Sequence, residues 1–110
     1  MSDKNDAGQA APSIDWLGIL SKTFAEECNH EITEKLKRNV SESLDSLNWR
    51  ESLVVVMRSR GMTLREVGEL LDVTGGRSRQ IEAKGFKKLR HPTRIRRLEQ
   101  FMPNRGVLWK

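Results

Sequence analysis

The stretch TLREVGELLDVTGGRSRQIEAKGFKKLRHPTR, Thr63 to Arg94, decides the fold. Thr63 followed three residues later by Glu66 is a capping box, so the spacing predicts a helix starting at about Leu64. Leu64, Val67, Leu70 and Leu71 form its apolar face. Gly68 lowers the stability of such a helix by about 1 kcal/mol relative to Ala, which makes sense where another helix crosses close to the backbone. Asp72, Val73 and Thr74 form a turn whose last residue can cap the next helix. That helix runs from about Gly75 to Arg90 and stops at His91, because a residue before proline is pushed out of the helical region. Ser78, Ile81, Gly85 and Leu89 share one weakly apolar face, while Arg77, Gln80, Lys84 and Lys87 or Lys88 share the opposite one, all hydrogen-bond donors. A short helix, a three-residue turn and a longer basic helix make a helix-turn-helix, whose second helix fits a DNA major groove while the first crosses the backbone. An ordinary helical hairpin with a basic solvent face has the same pattern, and periodicity alone does not separate the two.

Outward from this stretch the pattern stays helical, with no strand signal and no internal repeat. Residues 1–12 are small and polar and read as a disordered tail. A helix is predicted from about Ser13, its cap, to Cys28, with Ile14, Leu17, Leu20, Phe24 and Cys28 on one stripe. Trp16 lies off that stripe, exposed or against another element. A second helix is predicted from about His30 to Leu47, capped by Asn29, with Ile32, Leu36, Val40, Leu44 and Leu47 inward. Asn48 and Glu51 make a capping-box-like start for a third, with Leu53, Val56 and Met57 inward and Gly61 just past its end. After His91 a last basic turn, Thr93 to about Phe101, has Ile95, Leu98 and Phe101 on its apolar side, and residues 102–110 are a tail. The expected architecture is all-α: a small helical bundle with a C-terminal helix-turn-helix, close to the winged-helix class but without a clear wing. Residues 13–47 supply N-terminal helices, of which Ile14 to Cys28 reads as extra core or as a partner or dimer contact, and residues 48–101 the helix-turn-helix domain.

Composition narrows the function. The chain has 110 residues, 20 Lys+Arg against 15 Asp+Glu, and a net charge of +5. That size allows one small core and no deep substrate cleft. The charge is divided unevenly: residues 1–55 carry 6 basic and 10 acidic side chains, residues 56–110 carry 14 basic and 5 acidic. Residues 77–97 hold 9 Lys or Arg and one acid, Glu82. An anionic partner for the second half follows, although a solvated basic helix has the same balance. No run is long and apolar enough for a membrane span, and the N-terminus has no apolar signal region. The single cysteine, Cys28, rules out an internal disulfide and fits a reducing cytosol. The expected location is cytoplasmic, associated with the nucleoid.

The order of the residues sharpens this further. Thr63 and Leu64; Glu66, Val67 and Gly68; Asp72, Val73 and Thr74; the run Arg79 to Lys84; and the run Lys88 to Pro92 closely resemble the C-terminal region 4 of the bacterial sigma-70 family. Upstream, Leu47, Arg50, Glu51, Met57 and Arg58 resemble the first half of that region. The resemblance covers roughly residues 40–101 and not the segment from Met1 to about Asn29. It implies a protein that reads the −35 promoter element in the major groove and docks on the flap of the RNA polymerase β subunit. Arg50, Arg58, Leu64 (through its backbone amide), Arg77, Arg79, Gln80 and Lys84 match the family's DNA contacts. Lys84, Lys88 and Arg90 match a surface offered to activators. Bidentate contacts of Gln or Arg to purine edges give about 1–3 kcal/mol of discrimination each. The remaining basic residues, Lys87 and Lys88 among them, would hold phosphates and set the salt dependence.

Two departures bear on function. After the turn threonine the family has an Arg-Glu pair of base readers; here Gly75 and Gly76 stand there, and Ser78 occupies the next core position. Two glycines remove two readers and weaken the first turn, but they leave bare N–H groups that could approach a phosphate. Reduced base readout and an altered sequence preference both fit. The second departure is length: 110 residues hold a region-4-like module and no module for promoter melting. A stand-alone transcription regulator on promoter DNA and polymerase is therefore expected. The alternative is a protein-interaction module that binds polymerase or a sigma-like partner and uses DNA little: a split sigma subunit, a phage or mobile-element regulator, or an anti-sigma-like competitor. Trp16, Phe24 and Trp109 are the candidate partner contacts outside the basic helix. No metal or other cofactor is expected: Cys28 and His30 lack a second ligand pair, and Gly75-Gly76 lacks the strand and Lys-Ser/Thr of a phosphate loop. No catalytic constellation is present, so no enzymatic activity is expected.

Overall fold

The structure, a computed structural model, describes residues 14–102. It is all-α, with six helices and no strand among the described residues: α1 Trp16–Phe24, α2 Glu34–Asp45, α3 Trp49–Ser59, α4 Leu64–Leu71, α5 Gly75–Leu89 and α6 Pro92–Glu99. The expected N-terminal tail at residues 1–12, the Ser13 cap, residues 103–110 of the expected C-terminal tail and Trp109 lie outside the described residues, whereas Met102, read as the first tail residue, is buried in the core cluster.

Local chemistry sets most boundaries. Asn48 Oδ1 accepts from the Glu51 amide at 2.9 Å, and Glu51 Oε1 accepts from the Asn48 amide at 3.2 Å, a complete capping box for α3. Thr63 and Glu66 make the same exchange for α4. Gly61, with φ of +98°, turns the chain out of α3. Asp72 adopts the left-handed conformation at the end of α4, and the Thr74 hydroxyl accepts from the Arg77 amide to start α5. His91 is extended, as a residue before proline must be, and Pro92 opens α6.

The first two helices are shorter than their apolar spacing predicts. α1 is capped by Asp15, which accepts from the Gly18 amide at 2.9 Å, and it ends at Ala25 in the left-handed conformation. Cys28 therefore lies beyond the helix, buried, with its thiol donating to the Phe101 carbonyl. Ile19, Leu20 and Thr23 are the buried positions of α1, so its inward face is rotated from the expected stripe. α2 is capped by Thr33 rather than Asn29, which leaves Ile32 ahead of the helix and 47% exposed. In both cases a nearer capping side chain takes the orphan amides that the periodicity had assigned to an earlier residue. Leu70 is the third departure: expected inward, it is 61% exposed, because α4 turns Val67 and Gly68 to the core.

Two apolar clusters hold the helices. Val54, Met57, Val67 and Ile81, flanked by Leu53, Met62 and Leu71, form the heart of α3, α4 and α5. The larger cluster joins Ile19 and Leu20 of α1, Leu36, Val40 and Leu44 of α2, Val55 and Val56 of α3, Phe86 and Leu89 of α5, and Leu98 and Phe101. α1 and α2 thus share a core with the helix-turn-helix. Arg97 pairs with Glu42 at 3.2 Å, and Asn39 donates to the Arg97 carbonyl at 3.0 Å, which ties α6 to α2.

The helix crossings depend on two glycines. A Cβ on Gly85 would sit 2.8 Å from Val55 Cγ2 and 3.3 Å from the Glu51 carbonyl oxygen, so α5 crosses α3 at backbone contact. A Cβ on Gly68 would meet the Val73 carbonyl oxygen at 2.7 Å and Ser78 Oγ at 3.0 Å, so the turn and α5 press on α4. At Gly76 the nearest atom is Thr74 Oγ1 at 3.9 Å, and at Gly75 it is Arg65 Cα at 3.9 Å. Gly68→Ala and Gly85→Ala should each destabilise the fold by about 1–3 kcal/mol through overpacking. Gly76→Ala should raise stability by about 0.5 kcal/mol by restricting the unfolded chain. Guanidinium denaturation of the three variants checks the opposite signs; a destabilised Gly76→Ala would contradict the open space at that position.

Candidate nucleic-acid interface

α4, the Asp72–Thr74 turn and α5 form the helix-turn-helix. Ser78, Ile81, Gly85, Phe86 and Leu89 turn α5 to the core, and this inward face fixes which side chains point out. Arg77, Arg79, Gln80, Lys84, Lys87 and Lys88 are exposed on α5. Arg77 Nη1 donates to Gln80 Oε1 at 3.2 Å, which holds both at the start of the outer face. The first turn carries no acidic residue, so the positive end of the α5 dipole faces solvent uncompensated. Gly75 and Gly76 add no side chains over that turn, whose Arg77 amide is capped by the Thr74 hydroxyl at 3.0 Å.

The N-terminus of α3 lies beside α5. A cleft of about 290 Å³ between them is lined by Asn48, Trp49, Arg50, Glu51, Arg77, Ile81 and Lys84. A second cleft follows along α5 toward α6, lined by Asn48, Glu51, Lys84, Lys87, Lys88, His91 and Arg94. The two share Asn48, Glu51 and Lys84, so one flank, basic at its surface, runs from Arg50 and Arg77 to Arg94. The sequence-level candidates Arg50, Arg77, Lys84, Lys87 and Lys88 meet on this flank. Leu64 is the first residue of α4, where its amide has no partner inside the helix.

Other candidates are engaged within the chain. Arg58 Nε bonds Glu82 Oε2 at 2.9 Å and Nη1 donates to the Met62 carbonyl at 2.7 Å, tying α3 to α5. Arg90 turns away from the basic flank: Nε donates to the Thr23 carbonyl at 2.7 Å, Nη2 to the Lys22 carbonyl at 3.3 Å, and its guanidinium lies over the Phe86 ring. It therefore clamps the C-terminus of α1. Trp16 and Phe24 are half-buried against the larger cluster.

Trp49 was not among the sequence-level candidates, yet it is 65% exposed at the mouth of the first cleft. The Arg50 guanidinium lies 5.0 Å from its ring centroid. The sequence carried no signal for it: Trp49 is in register with Leu53, Val56 and Met57 at i+4, i+7 and i+8, so spacing places it on the inward face, and only the packing around the first turn of α3 leaves the ring in solvent.

Glu51 organises the flank from beneath. It is almost fully buried, caps its own helix, and accepts from Lys88 Nζ at 2.8 Å. Burial by itself would raise the Glu51 carboxyl, but the Lys88 hydrogen bond, the Asn48 amide and the charges of Lys88 and Lys84 outweigh it and hold the pKa below the ordinary 4.5.

Comparison with known proteins agrees with this geometry. Residues 43–91 match the family Sigma-70, region 4. The matched span runs from the end of α2 through the whole helix-turn-helix. The chain is 46% identical over 74 residues to the RNA polymerase sigma factor SigA of a Bacillus species, covering 63% of this chain and 20% of that protein. It is 43% identical over 79 residues to the SigA of Listeria monocytogenes, covering 67% of this chain and 21% of that protein. The chain thus spans about a fifth of the length of these curated relatives. No solved structure matches. The resemblance to region 4 that the sequence carries is borne out, and α1 lies outside the matched residues. Among the described residues no three potential metal ligands gather, and no helix is long and apolar enough to cross a membrane.

Because the folded-state pKa of Glu51 is depressed, its stabilising contribution is present above pH 4.5 and is lost as pH falls below it. Glu51→Gln should lower stability at pH 7 by about 1–2 kcal/mol, the partner Lys88 being partly solvated. It should also flatten the acid limb of the stability profile. Denaturant unfolding from pH 7 to pH 3 checks this, and parallel profiles for the two proteins would contradict it.

Proposed function

We propose that this protein regulates transcription by binding duplex DNA through its helix-turn-helix and by engaging RNA polymerase, as a region-4-like module. The observation that supports it most is the outer face of α5. Arg77, Arg79, Gln80 and Lys84 stand exposed on a helix whose opposite face is locked into the core, which is the arrangement a major-groove helix needs. In this reading α4 crosses the backbone, with the Leu64 amide on a phosphate. Arg50, Lys84, Lys87 and Lys88 line the phosphates on the flank. Base readout is altered: Gly75 and Gly76 carry no side chains, and the space around them shows that the fold does not require glycine there. Their amides can approach a phosphate at the positive end of α5. The polymerase contact, with the β flap as its site, is proposed from the region-4 match, as are promoter DNA as target and a place on the nucleoid.

A second reading is an interaction module that holds polymerase or a sigma-like partner and uses DNA little. The absent readers at Gly75 and Gly76 favour it, as does α1, which lies outside the matched residues. Pull-down from bacterial lysate with and without nuclease separates the two: a nuclease-resistant polymerase complex without affinity for duplex selects the second.

The triple variant Arg77→Glu, Arg79→Glu, Lys84→Glu should lose duplex binding at least about a hundredfold, and wild-type binding should weaken steeply with salt. Titration of labelled duplex over a salt series measures both. Unchanged affinity in the triple variant would end the DNA-binding reading. Selection from randomised duplexes should enrich a motif different from the family's −35 element.

A further inference from the structure

The first cleft combines features that the DNA-contact set does not use. Trp49 presents a 65% exposed indole at its mouth, beside Arg50, Arg77 and Lys84. A lone exposed apolar residue needs no explanation. Here, however, the ring is held by a guanidinium 5.0 Å from its centroid and is flanked by cations from both α3 and α5. Arg77 and Lys84 face outward from the helix that enters the groove in the proposed reading. A duplex seated on them brings its sugar-phosphate edge over the N-terminus of α3. An indole offers that edge an apolar face for the deoxyribose and one N–H donor for a phosphate oxygen.

We propose that Trp49 is a further duplex-DNA contact, packing on the sugar-phosphate backbone at the flank of the α5 footprint. The inference rests on the DNA-binding reading above. The partner chemistry follows from the surroundings: three cations beside one aromatic face favour a polyanion with apolar sugar surfaces over an apolar protein groove. The contact is uncharged, so it adds affinity without releasing a counterion. Its signature differs from that of every Lys or Arg on the flank.

The test is titration of the full chain and its variants with one fixed mixed-sequence duplex about three helical turns long, over a salt series. Trp49→Ala should bind about tenfold more weakly, the affinity lost with a partly buried aromatic. Its salt slope should equal that of wild type, and Trp49→Phe should recover most of the affinity. Ala is a better helix former than Trp, so α3 should persist, and circular dichroism verifies it. In wild-type protein labelled at the tryptophan indole nitrogens, the resonance missing from Trp49→Phe should shift on adding duplex. If Trp49→Ala binds as wild type while Arg77→Glu, Arg79→Glu has lost affinity, the duplex interface stands and the Trp49 contact is overturned. If Trp49→Ala weakens binding with a salt slope reduced by about one charge, the ring acts only by holding Arg50, and the direct contact is again overturned. If neither variant loses affinity, the DNA-binding reading fails, and this inference fails with it.

Discussion

The crossing of α5 over α3 at Gly85 governs the rest of the molecule. The α5 backbone lies against α3 there, and a Cβ on Gly85 would stand 2.8 Å from Val55 Cγ2 and 3.3 Å from the Glu51 carbonyl oxygen. Such an approach brings Lys88 within reach of the buried Glu51 carboxylate. It also sets the rotation of α5 and therefore which of its side chains meet solvent. Shifting that contact by one methyl group would move every donor on the outer face. Glu51 couples local and tertiary structure in one residue, since the same carboxylate caps α3 and pairs with α5.

Charge is sorted by this packing. Of the basic residues in the second half, some hold the fold together. Arg58 bonds Glu82 and the Met62 carbonyl, Arg90 clamps the end of α1, and Arg97 pairs with Glu42. Others, Arg77, Arg79, Lys84 and Lys87, remain at the surface of α5, and Arg50 joins them from α3. A net charge alone would count them equally. The proposed interface is made of those whose charge is not already satisfied within the chain, with Lys88, paired to Glu51 beneath the flank, as the exception.

α1 takes the first of the two roles the sequence leaves open to it, that of extra core. Ile19 and Leu20 cover Val55, Val56, Phe86 and Leu89 in one cluster, and Arg90 fixes the helix end. A helix outside the region-4 match therefore completes the core of the matched domain. Trp16 and Phe24, the candidate partner contacts on α1, pack part of their surface against that core.

What the sequence determined by itself is local: capping boxes at Asn48 and Thr63, the Thr74 cap, the Pro92 stop, and the inward face of α5. Each depends on side chains within about one helical turn, so spacing alone reveals it. The same locality let the runs Arg79 to Lys84 and Lys88 to Pro92 announce region 4. The limits of α1 and α2 were not legible, because two or more capping residues compete within a few positions and tertiary packing selects among them. The exposure of Leu70 and Trp49, the diversion of Arg58 and Arg90 into internal bonds, and the gathering of Arg50 with Arg77 and Lys84 were decided only by the tertiary structure. All depend on how two helices far apart in sequence cross, and that geometry is set by close contact at Gly68 and Gly85 rather than by any periodic pattern.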